Sequence, residues 1–303
     1  MSGLKEITRG VAALPISIAN VYFVGEPGER WTLVDAGVPD RADDILEAAK
    51  ERYGKNARPE AILLTHGHFD HAGSARQLAE AWDVPVYAHP LEMPFITGRS
   101  KYPPPDPTVG GFLAMLSRFF PHKPIDLGKH VRELPMDGAI PGMNGWRMIH
   151  TPGHTPGHVA YFRERDGVLL AGDALATVDL DSAFAVITKK KEFNKPPAPM
   201  TIDWTAARHS VNQLAGLRPN VVGCGHGNPI TKGNVAAQFA GFAANFSTPS
   251  KGRYVRRPAI TDERGIVRLP PPAPDPLPKV VAAVGVVALT GAAVMYTMRR
   301  NKQ

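Results

Sequence analysis

Through residues 1–248, short apolar runs alternate with longer amphipathic stretches. Runs rich in Val, Ile, Tyr and Trp predict strands at 20–24, 31–35, 61–65, 84–88, 146–150, 159–163, 168–172 and 221–225. Helical periodicity predicts helices at 41–53, 72–82, 205–217 and 233–246. This alternation, with no internal repeat, predicts an α/β domain. Residues 93–130 break the rhythm. They hold K-Y-P-P-P-D-P followed by the apolar G-F-L-A-M-L-S-R-F-F. A loop and an apolar helix at such a place form either a lid or substrate wall, or an ordinary packed excursion.

The pattern changes after residue 248. Residues 249–278 read as a linker, first basic, then P-P-P-A-P-D-P-L-P at 270–278, a composition that favours an extended spacer. Residues 280–298 then form an uncharged run of 19 residues. As a helix the run would reach roughly 29 Å, close to a bilayer's apolar core. Lys279 flanks it on one side and Arg299, Arg300 and Lys302 on the other, with Tyr296 near the end. The expectation is a single-pass membrane anchor over 279–303. The N-terminus carries no apolar stretch of signal-peptide length. The body is therefore expected in the cytoplasm, with no orientation fixed by the flanking charges.

The chain has 303 residues, 43% of them hydrophobic, which excludes wholesale disorder. One cysteine excludes a disulfide scaffold and any cysteine-rich zinc module. The net charge of +7 first suggests nucleic acid. Its distribution removes that suggestion: the excess lies wholly beyond residue 250, and the body before it is neutral. The basic residues at 251–268 either meet anionic headgroups beside the anchor or belong to a solvated linker.

The chemistry concentrates at A-I-L-L-T-H-G-H-F-D-H-A-G, residues 61–73. A strand runs straight into His66, His68, Asp70 and His71, and a helix follows. Imidazole and carboxylate are the usual donors for zinc-like ions. Two residues apart on extended chain, His66 and His68 can point the same way; Asp70 and His71 can face a second position nearby. Three more strand ends carry such donors: T-P-G-H-T-P-G-H at 151–158, L-L-A-G-D at 169–173 and V-V-G-C-G-H-G at 221–227.

This constellation resembles the metallo-β-lactamase fold superfamily over residues of about 10 to 245. The H-x-H-x-D-H signature is complete at His66, His68, Asp70 and His71, and His154, Asp173 and His226 follow in the family's order. The resemblance implies an αββα four-layer sandwich over 1–248. It also implies two divalent metal ions, zinc first, with manganese or iron suited to the same donors. His66, His68 and His154 would hold one ion. Asp70, His71 and His226 would hold the other, and Asp173 would bridge them together with a hydroxide that attacks an electrophilic carbonyl. Asp35 is expected either to orient a ligand histidine or to cap structure. His158 is read as a loop brace, Cys224 as a small buried residue, and Lys189, Lys190 and Lys191 as a solvated run. His89, His122, His130, His150 and His209 have no assigned partner.

The superfamily hosts several chemistries, and the residues prune them. Flavodiiron-type oxidoreductases place Glu where His68 stands. Acyl-homoserine lactonases carry a tyrosine a few tens of residues after the bridging Asp, whereas no Tyr occurs here between Asp173 and Tyr254. Glyoxalase II-like thioesterases need a longer C-terminal helical region, and RNA-processing members are generally longer. A neutral body also lacks the footprint for a phosphate backbone. The expectation is a hydrolase of a small-molecule ester, thioester or lactone. The alternatives are a mononuclear-iron persulfide dioxygenase-like oxidoreductase and a non-catalytic metal-binding module.

Overall fold

In the computed structural model, the described residues are 3–275 without 122–124, 137 and 189. The strands β1 (Lys5–Thr8), β2 (Val11–Ile16), β3 (Ala19–Val24), β4 (Thr32–Val34), β5 (Ile62–Leu63), β6 (Val86–Ala88) and β7 (Val131–Glu133) form one sheet in chain order. Its first four strands pair antiparallel and the rest parallel. A second sheet holds β8 (Trp146–His150), β9 (Val159–Arg163), β10 (Val168–Leu170) and β11 (Val221–Gly223), in spatial order β11-β10-β9-β8. The main helices are α1 (Ala42–Tyr53), α2 (Phe69–Ala72), α3 (Ala75–Trp82), α4 (Met93–Ile96), α5 (Phe112–Leu116), α6 (Ala183–Thr188), α7 (Trp204–Gly216) and α8 (Val235–Ala244).

Strand alternation builds the layers. Successive side chains point to opposite faces of a strand. In β2 and β3, Ala12, Leu14, Val21 and Phe23 pack with Ile45 of α1 and Leu78 of α3. The intervening Val11, Ala13, Tyr22 and Val24 pack instead with Val159, Tyr161, Val168 and Leu170 of the other sheet. The opposite face of that second sheet, through Ala160, Phe162 and Leu169, packs with Val211 and Leu214 of α7 and Phe239 of α8. Helix, sheet, sheet and helix therefore stack in that order, the expected αββα sandwich. The inner strands β3, β4, β5 and β10 are buried on both faces and so read as nearly continuous apolar runs.

Two expectations are corrected. The compact unit does not stop at 248 but runs to Pro271. Tyr254 is 2% exposed, its hydroxyl donates to the Pro104 carbonyl at 2.8 Å, and it packs with Ile202 and Ala259. A hairpin of β12 (Ile260–Asp262) and β13 (Gly265–Arg268) follows. The basic segment is thus a packed flap rather than a linker: Arg253 donates to the Pro270 carbonyl, and Arg264 pairs with Asp262. The helix predicted at 72–82 begins only at Ala75, as α3; the shorter α2 precedes it and ends before Gly73, where an added Cβ would run into the Phe69 carbonyl and Pro39. The expected anchor at 279–303 lies outside the described residues. Among the described residues no helix is long and apolar enough to cross a membrane.

Candidate metal centre

All seven predicted donors gather at the C-terminal ends of strands. His66 and His68 follow β5, His154 follows β8, Asp173 follows β10 and His226 follows β11. His68 stands in extended backbone at the N-terminus of α2, whose first turn carries Asp70 and His71. Adjacent residues on a helical turn diverge by about 100°, so Asp70 and His71 meet the cluster from different sides. Three sets bring their donor atoms within 4.8 Å of one another: His66, His68 and His154; His66, His71 and Asp173; and Asp70, His71 and His226. Each set draws one member from the second half of the chain.

Asp173 is central. Its Oδ2 lies 3.1 Å from His226 Nε2 and 3.5 Å from His154 Nε2, and its Oδ1 lies 3.5 Å from His71 Nε2. Four of the five imidazoles are oriented from the far side, while His68 Nδ1 lies 3.0 Å from His154 Nε2 within the cluster. His71 Nδ1–H donates to Asp35 at 2.8 Å, and His226 Nδ1–H donates to the Ile18 carbonyl at 2.8 Å. His66 Nδ1 lies 3.1 Å from Thr65 Oγ1, whose hydroxyl donates to Asp35. His154 Nδ1 lies 3.3 Å from Thr201 Oγ1. Such outer contacts fix the tautomer and leave the inner nitrogen as a donor atom.

This donor set fits cations. His66 Nε2, His71 Nε2, Asp70 Oδ1 and Asp173 Oδ1 are buried without a hydrogen-bond partner. Four such atoms facing one another are costly unless a positive charge joins them. Gly225 completes the cradle, because a Cβ there would collide with Asp173 Oδ1 and His71. The protein's own charges divide the histidines into two groups. Burial, reinforced by neighbouring imidazoles, drives His66 and His154 well below the ordinary value, and burial takes His68 to about 3. For His71 and His226 burial also pushes down, but carboxylates overcome it: Asp173 and Asp35 raise His71 well above its usual range, and Asp173 with Asp70 takes His226 to about 9. Uptake of a cation at the Asp70, His71 and His226 set thus competes with protons.

The profile of the metallo-beta-lactamase superfamily matches residues 14–226, more than two thirds of the chain. The chain belongs to the metallo-beta-lactamase superfamily. It is 44% identical over 246 residues to the probable metallo-hydrolase YflN of Bacillus subtilis, covering 80% of this chain and 93% of that protein. It is 28% identical over 218 residues to the probable metallo-hydrolase YybB of the same organism, covering 72% of this chain and 84% of the relative. Among solved structures, a B3 metallo-beta-lactamase described as the first with an active-site glutamic acid superposes with a TM-score of 0.55 at 17% identity. That match covers 80% of this chain and 87% of the other. A beta-lactamase domain protein from Burkholderia ambifaria gives 0.54 at 23%, covering 80% and 76%. At these identities the structural likeness concerns the fold.

Several other sequence readings are settled by contacts in this superfamily member. His158 is a brace: the Asp173 N–H donates to its Nε2 at 2.9 Å and its Nδ1 lies 2.7 Å from Thr151 Oγ1, so both ring nitrogens are engaged. Cys224 is buried, and burial pushes its thiol up. His89 and His150 stack on each other at 4.4 Å, and His150 donates to the Pro156 carbonyl beside His154. Lys190 pairs with Glu192, and Lys191 donates to the Pro229 carbonyl. Lys189 and His122 lie outside the described residues. Asp35 is the orienting residue, held at φ 61° and accepting from the Thr65 N–H, the Thr65 hydroxyl and His71. Asparagine also tolerates that backbone region, so Asp35→Asn isolates the carboxylate's charge. Metal affinity and turnover are expected to fall about 10- to 100-fold, with competition against a chromogenic chelator as the measurement.

The sequence did not reveal Glu92 and Tyr102. Glu92 is fully buried and accepts from Gly67 N–H at 3.0 Å and Gly157 N–H at 2.7 Å, and so joins the loop of His66 and His68 to the loop of His154. The Tyr102 hydroxyl donates to the same carboxylate and accepts from Gly67 N–H. Burial raises the Glu92 carboxyl above its usual range, and the donors only partly offset that. In Glu92→Ala, Gly157 N–H loses its acceptor and Gly67 N–H one of its two. An unsatisfied buried donor costs about 1–3 kcal/mol. Urea unfolding of Glu92→Ala is expected to show a loss of about 2 kcal/mol or more, together with weaker metal retention.

Proposed function

We propose that this superfamily member is a dinuclear metallohydrolase that cleaves an ester, thioester or lactone of a small molecule. His66, His68 and His154 would hold one divalent ion, Asp70, His71 and His226 the other, and Asp173 would lie between them. Zinc suits the imidazole and carboxylate donors, and manganese or iron would be accepted by the same set. Two such ions supply a hydroxide nucleophile at neutral pH and polarise a carbonyl. The protein's part is to hold seven donors at fixed angles and exclude water. Asp35, Thr65, Thr201 and the Ile18 carbonyl fix the imidazole rings, and Asp173 contributes its negative charge between the two sets. The observation that carries this reading is the gathering of the seven donors into overlapping buried sets, in which four side-chain atoms of His66, Asp70, His71 and Asp173 lack a hydrogen-bond partner.

The test is metal analysis of the purified chain combined with a panel of lactone, thioester, ester and β-lactam substrates. About two zinc or manganese ions per chain and metal-dependent turnover of an ester-like substrate support the proposal. One iron per chain with oxygen uptake would establish the persulfide dioxygenase-like alternative instead. A fully metallated chain that turns over nothing would leave a binding module.

We also propose that residues 279–303 anchor the chain in a membrane, with the catalytic body on the cytoplasmic side and a small-molecule substrate rather than nucleic acid. The uncharged run of 19 residues and its basic flanks support this. Deleting 279–303 is expected to move the protein from the sedimenting membrane fraction to the supernatant. Unchanged sedimentation with lipid would refute the anchor.

A further inference from the structure

Two cavities meet the candidate metal centre from different sides. One, of about 360 Å³, opens at Gly67 and His68 and is walled by Lys101, Tyr102 and the prolines after it. The other, of about 290 Å³, reaches Asp70 and His226 and is otherwise lined mainly by apolar side chains, among them Ile18, Leu113, Leu116, Val178 and Val186. Phe120 and Met200 border both cavities and so partition them. We propose that the second cavity is a groove for a linear apolar arm of the substrate, which makes that substrate a lipophilic ester or thioester. This inference rests on the hydrolase reading above.

Three features argue for it. The first is chemical: Asp70 and His226 are the ionisable groups of the lining, Ser17, Asn20 and Asn228 are its other polar side chains, and the rest is mainly apolar. A few polar groups at the end of an apolar cleft is the usual form of a small-molecule site. The second is that the groove is already formed. Phe112 N–H donates to the Asp181 carbonyl at 2.9 Å, and Lys195 pairs with the Asp181 carboxylate at 2.8 Å. Gly111, at φ 91°, lets α5 approach Asp181, where a Cβ would come within 2.5 Å of the carboxylate. These contacts latch α5 to the segment before α6, so little ordering is required when an arm enters. The third is exposure. Leu113, Leu116 and Val186 are only partly buried, and Ile18 is 55% exposed. They stand outside the packed cores. Covering such surface gains about 25 cal/mol per Å², which an apolar arm would realise and a polar one would not.

Hydrolysis of this substrate consumes one water. A C–O bond forms at the carbonyl, the acyl C–O or C–S bond breaks, and a carboxylic acid leaves with an alcohol or thiol. The arm can lie on the acyl side or the leaving-group side. Two chain-length series separate these: p-nitrophenyl esters from acetate to decanoate, and alkyl acetates from methyl to octyl, both with the metal-loaded full chain. A buried methylene contributes about 0.8 kcal/mol. The value of kcat/KM is therefore expected to rise roughly fourfold per methylene over the first several carbons in one series. Leu113→Ser and Val186→Ser, on two separate elements, are each expected to flatten that rise. Flat profiles in both series, or an unaltered slope in both variants, would overturn the groove while the hydrolase reading survives.

A second measurement does not depend on turnover. Calorimetric titration of the full chain with 1-hexanol and 1-octanol, which differ by two methylenes, is expected to show roughly 15-fold tighter binding of the longer alcohol. Both serine variants are expected to reduce that difference. If no ester is turned over but the alcohols bind in this way, the hydrolase reading fails and the groove stands. Equal binding of both alcohols would overturn the groove.

Discussion

Asp173→Ala is expected to lower kcat/KM by at least about a hundredfold and to reduce bound metal from about two ions per chain to one or fewer. Replacing outer groups that merely orient ligands costs about 10- to 100-fold, and Asp173 is closer to the chemistry than those. It contacts His71, His154 and His226 at once and so touches both sets of donors. Burial alone would neutralise its carboxyl, but His226 and His71 hold it well below the usual carboxylate range. The charge is thus present to be shared. Without it, two imidazoles that carry raised proton affinity lose their strongest partner. Asp173→Asn preserves shape and removes charge, so the pair of variants separates folding from electrostatics. The measurements are elemental analysis and steady-state kinetics. Full metal content and full turnover in both variants would remove Asp173 from the centre.

Stripping the ions with a chelator is expected to abolish hydrolysis and to lower the thermal midpoint by roughly 5–15 °C. A ligand bound only by the native state at 100 to 1,000 times its dissociation constant stabilises by about 2.7–4.1 kcal/mol. In a domain of this size each kcal/mol moves the midpoint by about 2–4 °C. The structural reason is local. Removal of the cations sets the inner nitrogens of His66 and His71 and the free oxygens of Asp70 and Asp173 against one another with no partner. Adding back zinc is expected to restore both activity and midpoint, whereas magnesium, which prefers an all-oxygen shell, is not. Scanning calorimetry before and after chelation is the check. A midpoint that does not respond would mean that the donors are satisfied without metal.

Much of this site could be read along the chain because its donors are local. Four of the seven fall within six residues after one strand, and the others follow strands whose apolar runs are unmistakable. The expected strands at 146–150 and 159–163 coincide with β8 and β9 residue for residue. Other elements carried no such signal. In β1, K-E-I-T is short and polar. In β2, Pro15 argues against a strand, yet it sits beyond the residues paired with β1, where β3 is the neighbouring strand. Glu92 and Tyr102 reach Gly67 across 25 and 35 residues, and Glu92 reaches Gly157 across 65, distances that no local pattern encodes. The segment after 248 looked like a linker because its arginines dominate its composition. What packs it is tertiary: Tyr254 buried against the backbone of Pro104. The ring of Tyr102 lies 4.5 Å from that of His68. It enters from the excursion at 93–130, so that excursion supplies one wall of the site.

The division of each donor set between the two halves of the chain has a consequence for biosynthesis. On a ribosome, the histidines at 66, 68 and 71 emerge long before His226. At about 5–20 residues per second, the 160 residues between His66 and His226 take roughly 8–32 seconds to appear. Over that interval the donor sets complete in turn: His154 closes the first, Asp173 the second, and His226 only the third. The Asp70, His71 and His226 set therefore lacks a member until about three quarters of the chain has been made. Completion of that third set waits until β11 has joined the second sheet and that sheet has packed on the first, so of the three sets it is the one that reports a finished fold.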